Sequence, residues 1–321
     1  MKLSVIIPYW NPNGDPSMDA LLQRAVRSAL DSNPYEIIVV NDGSPNDPDL
    51  SSMPQVKYIR REHGMQGAAR NTGLDNAGGD VITFLDSDDY YYPGALALCM
   101  EAMESADADL LGFSHGITTN GTGIDAVRKC SKPQFCGPFT GNQFMSSNNL
   151  FGSACLFLIS RKLIDDNGLR FRENVYIEDE DFATRLVFSS SRFIRTHYPV
   201  YAYYVHPGST MTTQTPEMLD LKAQHMTGTI ESLISFRNAH IQEPHQGLDR
   251  KIRTLAIDHM RRTLRRKDWR RALPVQTDAL KKLGLYPLDA HTLPFKFRLF
   301  VLLSCSRIGL FTLHIIESIR K

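Results

Sequence analysis

Phe84-Leu85-Asp86-Ser87-Asp88-Asp89 is an apolar run that ends abruptly in three carboxylates. Residues 80–85 (Asp-Val-Ile-Thr-Phe-Leu) are rich in β-branched and aromatic types and follow Gly78-Gly79, which predicts a buried strand. The carboxyl ends of strands are where open α/β sheets bind ligands. Three acids this close repel one another, and a hard divalent cation relieves the repulsion. Mg2+ or Mn2+ held in this way commonly also takes substrate phosphates, so the run points to a metal–nucleotide site. An isolated Asp-x-Asp is more often an acidic turn capping a helix. The rest of the chain has to decide.

Working outward, strand and helix signals alternate. Leu3–Pro8 predicts a strand, followed by a loop at residues 11–16. A helix N-capped by Ser17 then carries Leu21, Leu22, Ala25, Val26, Ala29 and Leu30 on one face. Strands are predicted at Glu36–Val40 and Val56–Ile59, and a helix around Gln66–Ala77. After the acidic run come a helix at about Pro93–Ser105 and a strand at Leu110–Phe113. Residues 115–153 read as loops with at most short strands, a wall suited to a variable substrate. Cys155–Ser160 and Phe193–Val205 read as strands, Arg161–Asn167 and Phe182–Phe188 as helices. Strands separated by helices predict an α/β fold with a mainly parallel sheet flanked by helices. From about Pro216 the chain turns helical and basic, giving expected domains at 1–215 and 216–321.

At 321 residues the chain can bury a large core, and its net charge of +1 hides an asymmetry. Residues 249–321 hold 17 Lys/Arg against 6 Asp/Glu, so the body is acidic and the tail basic. A basic tail points to an anionic partner, lipid headgroups or nucleic acid. Cys99, Cys130, Cys136, Cys155 and Cys305 form an odd set without a CxxC pair, as expected of free thiols in a reducing compartment. The opening strand is broken by Pro8 and too short for a signal peptide. No apolar stretch approaches the roughly 20 residues of a membrane span. These features predict a cytoplasmic protein.

Four constellations follow one another in order: Ser4-Val5-Ile6-Ile7-Pro8-Tyr9-Trp10-Asn11; Val39-Val40-Asn41-Asp42-Gly43-Ser44; Ala68-Ala69-Arg70-Asn71-Thr72-Gly73 with Asp86-Ser87-Asp88-Asp89; and Glu178-Asp179-Glu180-Asp181-Phe182. Over roughly residues 3–210 the chain resembles the family 2 glycosyltransferases of GT-A (Rossmann-like) fold, among them bacterial enzymes that build surface polysaccharides. The resemblance implies a hexosyltransferase-type enzyme. It would be inverting and metal-dependent, moving a sugar from a nucleotide-sugar, above all a UDP-sugar, to a glycan or lipid-linked acceptor.

By the same resemblance Pro8, Tyr9 and Asn11 edge the nucleotide pocket, and Asn41 and Asp42 hold base and ribose. The family usually has a second carboxylate where this chain has Asn41, whose amide can both donate and accept. Arg70 faces the nucleotide, where a planar cation can stack or bind phosphate. Asp88 is the expected ligand to Mn2+ or Mg2+, and Asp86 contacts ribose or metal. Asp89 supports them or caps a helix at Tyr90–Pro93. Asp179 is the expected general base, just ahead of the helix at Phe182, in a neighbourhood that Glu178, Glu180 and Asp181 make negative enough to raise a pKa. His206 and Ser209 are placed in a loop over the diphosphate.

In the tail, a helix over residues 301–319 would gather Val301, Cys305, Ile308, Ile315, Ile316 and Ile319 on one side, with Arg307, His314, Glu317 and Ser318 opposite. That pattern predicts a peripheral contact of residues 295–321 with an anionic membrane, at its cytoplasmic face, the alternative being that this side packs onto the catalytic domain or a second subunit. Two alternatives differ in class. A sugar-phosphate nucleotidyltransferase needs a basic, Gly-rich first loop, and residues 8–16 hold one Gly and no Lys or Arg. A nucleic-acid-binding protein working through residues 250–271 would have only Trp269 for stacking, so no nucleic acid is expected.

Overall fold

β1 (Leu3–Tyr9) is buried along its whole length, as a strand in the middle of a sheet covered on both faces must be. It pairs in parallel with β2 (Glu36–Asp42) and β4 (Val81–Phe84), and β2 pairs in parallel with β3 (Val56–Arg61). The structure is a computed structural model in which residues 1–119, 133–206 and 215–319 are described. Among the described residues nine strands form one sheet in the order β3-β2-β1-β4-β8-β6-β9-β5, where β5 is Tyr90–Tyr91, with β7 (Phe135–Phe139) also paired to β9 (Phe193–Tyr204). β8 (Phe157–Ser160) runs antiparallel to both β4 and β6 (Leu110–Thr118), while β6 and β9 are parallel. The sheet is thus mixed beyond β4, where the alternation of strands and helices no longer dictates direction.

Local chemistry sets the elements. In α1 (Pro16–Leu30) the cap is Asp15, not Ser17: its carboxylate accepts from the Ser17 N–H at 2.9 Å, and Pro16 takes a first-turn position that needs no donor. The predicted helix at Tyr90–Pro93 does not form. Tyr90–Tyr91 is instead the short strand β5, antiparallel to β9, and α3 begins at Ala95 (Ala95–Ser105). The region read as loops contains β7 and the helix α4 (Gly141–Ser147), whose mix of Gly, Asn, Gln and Ser lacks apolar periodicity. α2 (Met65–Asn76) lies against β1 and β2, and Gly73 makes this possible. A Cβ there would stand 2.3 Å from the Ile6 side chain.

Two compact units emerge. The first comprises 1–141 and 152–213, the second 142–151 and 214–321. The short stretch 142–151, part of the expected first domain, therefore groups with the helices that follow it. Within the second unit the Arg250 guanidinium donates to the Asn148 carbonyl at 2.6 Å, and Lys251 to the Leu150 carbonyl at 2.9 Å. The second unit otherwise consists of α7 (Pro216–Ala239), α8 (Gln246–Leu264), α9 (Trp269–Lys282), α10 (Phe295–Ser304) and α11 (Arg307–Ile319). The helix expected over 301–319 is two helices, broken at Cys305-Ser306. No helix of the described residues is long and apolar enough to cross a membrane.

Candidate active site

The site is built around a buried arginine. Arg70, on the inner face of α2, is 0% exposed, not the solvated helix residue its surroundings in sequence also allow. Its Nη2 donates to Asp86 Oδ1 at 2.9 Å, and its Nη1 to Glu178 Oε1 at 3.0 Å and to Asp179 Oδ1 at 2.5 Å. Phe84, Phe171 and Phe182 pack beside it, with Phe171 and Phe182 stacked at 3.8 Å and the guanidinium 5.3 Å from the Phe171 ring. Asn71 ties α2 to that floor, since its amide donates to the Phe171 carbonyl at 3.0 Å and accepts from the Phe171 N–H at 2.9 Å. Burial opposes the Arg70 charge, but Asp179, Asp86, Cys155 and Glu178 outweigh it and raise its pKa well above normal. The predicted acid at the end of β4 and the predicted base therefore share one cation.

Glu178 and Asp179 lie in the first turn of α6 (Glu178–Ser189), not ahead of it. The residue before them, Ile177, has a φ of 70°, a strained conformation for a β-branched side chain and one that turns the chain sharply into the helix. Burial, reinforced by Glu178 and Asp86, raises the Asp179 pKa to about 7, against the lowering pull of Arg70 and of a backbone N–H from Ala154. Burial raises the Glu178 pKa as well, again opposed by Arg70. Asp179 nevertheless keeps a quarter of its side chain open, 25% by area, so the group can be reached.

The turn after β4 sorts its three acids. Asp86 and Asp88 are each 29% exposed, whereas Asp89 is buried. Asp89 accepts from the Tyr201 hydroxyl at 2.5 Å and the Tyr204 N–H at 2.7 Å, so it ties the turn to β9 instead of capping a helix. Burial, then the charges of Asp86 and Asp88, push its pKa up to about 8. Asp88 Oδ2 faces His206 Nε2 at 3.1 Å, and burial followed by the Asp86 charge raises its pKa too. Arg24 of α1 braces the same turn: its Nη2 donates to the Asp88 carbonyl at 2.5 Å, and its guanidinium lies 4.6 Å from the Tyr90 ring and 4.3 Å from the Tyr204 ring. Ser209, also expected here, lies outside the described residues. Among the described residues no three His, Cys, Asp or Glu side chains converge as a metal cage.

At the ends of β1 and β2 the polar residues hold one another. Asn11 donates from its backbone to Ser44 Oγ at 2.9 Å, and its amide braces Tyr9 and Asp15. Asn41 accepts from the Ser44 N–H at 2.9 Å and donates to the Tyr58 hydroxyl at 2.9 Å. Asp42 is 2% exposed, its carboxylate already takes donors from Arg61 and from the Gly64 N–H at 3.1 Å, and His63 Nδ1 lies 3.1 Å from its backbone carbonyl and 2.9 Å from the carboxylate. It thus faces protein donors, and one effect is to fix His63. Gly43 turns the chain with a φ of 79°, and a Cβ there would meet the His63 backbone nitrogen at 2.8 Å. Gly43→Ala is accordingly expected to destabilise by at least about 1–2 kcal/mol, read as a lower urea midpoint.

A profile described as glycosyl transferase family 2 matches residues 4–168. The chain belongs to this family. It is 27% identical over 218 residues to the uncharacterized glycosyltransferase YibD of Escherichia coli K12, covering 64% of this chain and 62% of that protein. It is 27% identical over 229 residues to the Campylobacter jejuni protein named GalNAc(5)-diNAcBac-PP-undecaprenol beta-1,3-glucosyltransferase, covering 65% and 67% respectively. The match to YibD thus spans less than two thirds of that relative's length. The fold is similar to the crystal structure of Staphylococcus aureus TarS residues 1–349 in complex with UDP-GlcNAc, with a TM-score of 0.69, 18% identity, and coverage of 99% of this chain and 90% of that one. The fold is the GT-A fold.

Two site features of this family 2 chain were not anticipated. Tyr9, expected at the pocket edge, is 1% exposed and donates to Asp19; the exposed aromatic is its neighbour Trp10, 44% exposed and stacked on His63 at 4.7 Å. Tyr9 is the last residue of β1, which is buried along its whole length, so alternation along the strand gives no warning of this. Arg24 was the other, and nothing local to α1 signals it, since its partners Tyr90 and Tyr204 lie far along the chain.

Proposed function

We propose that this chain is an inverting, metal-dependent glycosyltransferase that moves a sugar from a nucleotide-sugar to a hydroxyl of a glycan or lipid-linked acceptor in polysaccharide biosynthesis. The observation that carries the reading is the Arg70 bridge, which brings Asp86 and Asp179 to one guanidinium. The UDP-GlcNAc complex of the TarS neighbour supports a UDP-sugar donor, and the undecaprenol-linked name of the Campylobacter relative supports a lipid-linked acceptor.

The donor's base would stack on Trp10, whose plane His63 and Asp42 fix from below. Asp179 would take the proton of the acceptor hydroxyl as its oxygen bonds to the anomeric carbon and the diphosphate leaves from the opposite side. A divalent cation fits the donor set: Asp88 and His206 present two ligating atoms 3.1 Å apart, and Arg70 alone offsets Asp86, Glu178 and Asp179. Two protein ligands suit Mn2+ or Mg2+, which fill their remaining positions with water and phosphate oxygens. When bound, the ion would neutralise charge building on the departing diphosphate.

The nucleic-acid reading rests on the basic run 250–271, much of which is paired within the protein. Of the basic run 250–271, Arg250 and Lys251 are turned to backbone carbonyls, Arg261 and Arg265 pair with Glu317, and Arg266 and Arg271 pair with Asp220 and Asp268. Arg262, Lys267 and Arg270 stay exposed, so the run keeps only part of the charge that a nucleic-acid face would use.

Thermal unfolding tests the proposal. UDP at 100 times its Kd with Mn2+ should stabilise the protein by about 2.7 kcal/mol. Asp88→Ala should lose the part of that shift that requires Mn2+ while keeping the melting point of the unliganded protein. A larger shift with a nucleoside triphosphate than with UDP would favour the nucleotidyltransferase instead. Donor identity follows from hydrolysis of a panel of UDP- and GDP-sugars.

A further inference from the structure

α11 is inside out for a water-exposed helix. Its carboxylate and imidazole face inward: Glu317 is 2% exposed, bonded to Arg261 Nε at 2.8 Å and Arg265 Nη2 at 2.8 Å. His314 Nδ1 meets the Leu264 carbonyl at 2.6 Å, and its ring stacks on Trp269 at 5.2 Å. Ion pairs to α8 and its C-terminal Arg265 thus fix which side of α11 turns outward, and that side is apolar. Ile308 is 82% exposed and Ile319 77%, with Phe311 and Ile315 between them. α10 continues the pattern, with Phe295 69% and Leu302 70% exposed. A helix normally buries its apolar stripe and shows its charges to water. Here α11 buries its one carboxylate beside Leu313, and α10, which buries Phe297 and Phe300, still leaves Phe295 and Leu302 outward.

The charges on this face are of one sign. Lys296, Arg298 and Arg307 are exposed among the apolar side chains, and Glu317, the only carboxylate between residues 290 and 319, is buried. A surface that is apolar and cationic, with no exposed acid, complements an anionic lipid headgroup layer over an acyl interior. With 10 and 13 residues, α10 and α11 are too short to cross a bilayer and suited to lying in its interface. We infer that the outward faces of α10 and α11 form a docking surface for an anionic lipid bilayer, with Glu317, Arg261 and Arg265 holding α11 in the docking orientation.

The full chain sedimented with vesicles tests this without donor or acceptor, so the outcome is independent of the transferase reading. Binding to phosphatidylglycerol-containing vesicles is expected, with weaker binding to phosphatidylcholine alone. Arg298→Gln with Arg307→Gln should lower partitioning onto the anionic vesicles roughly 30-fold, from the usual contribution of each basic residue near such a surface. Ile308→Asn with Phe311→Asn, both at exposed positions, should reduce it at least tenfold while leaving thermal unfolding unchanged. The inference is overturned if the wild-type chain stays in the supernatant, or if both double variants sediment like wild type. It is equally overturned if the apolar variant only converts an oligomer to a monomer, which would make the face a contact between copies of this chain.

Discussion

Asp179→Asn is expected to lower turnover by about 10²–10⁴-fold, the usual contribution of a positioned general base. UDP with Mn2+ should bind the variant within a few fold of wild type. The asymmetry follows from placement, because Asp179 touches Arg70 and the Ala154 backbone but none of Trp10, His63 and Asp88. Asparagine keeps the shape and an oxygen for Arg70, and loses the charge and with it the capacity to take a proton. Turnover and UDP affinity measured side by side decide the matter. A loss of UDP affinity as large as that of Asp88→Ala would place Asp179 in nucleotide binding instead.

The pH dependence has a definite sign. Burial holds the Asp179 pKa at about 7, so the ionised form that the proposed mechanism uses as base is depleted below neutrality. Transfer should therefore rise with pH through that value and level off above it. Stability should run the other way. The folded protein holds this proton more tightly than the unfolded chain does, so stability is fully present below the ordinary carboxylate range and declines as pH rises toward 7. Asp179→Asn has no charge to bury and should lack that decline, which pH-dependent unfolding of the two proteins would show.

Much of this site could be read from the sequence because its parts sit at strand and helix ends, where local composition is informative. The run at 84–89, the motif at 68–73 and the acids at 178–181 were each legible, and Arg70 joins all three. What the sequence could not show were the pairings that make Arg70 buried and Asp89 structural. Those depend on β9 and α6 returning to the end of β4 from about a hundred residues away. Strand direction beyond β4 and the helix at 141–147 were hidden for a related reason, since neither has a local period or turn signature that forces it. In the tail, the apolar and polar sides were legible as opposite faces, but which one turns outward was decided by Glu317 finding Arg261 and Arg265.

The second large effect falls on Arg70 itself. Removing one partner of a buried ionic cluster leaves the others uncompensated, at a typical cost of about 3–5 kcal/mol. Arg70→Met strips the counter-charge from Glu178, Asp179 and Asp86 together, so the upper part of that range is expected from urea unfolding. Arg70→Lys should recover only part of it, since one ammonium cannot reproduce a planar fork whose two Nη atoms serve Asp86 on one side and Glu178 with Asp179 on the other. A double-mutant cycle separates this role from simple packing. In the Arg70→Met background, Asp179→Asn should restore stability, because the charge it removes has lost its partner. Additive losses would show that Arg70 holds α2 in place through shape alone. The same reasoning predicts a kinetic mark: with the lowering influence of the guanidinium weakened, Arg70→Lys should shift the rise of transfer with pH upward, above its wild-type position. A profile unmoved by that change would mean that Arg70 does not set the charge state of the base, whatever it contributes to the fold.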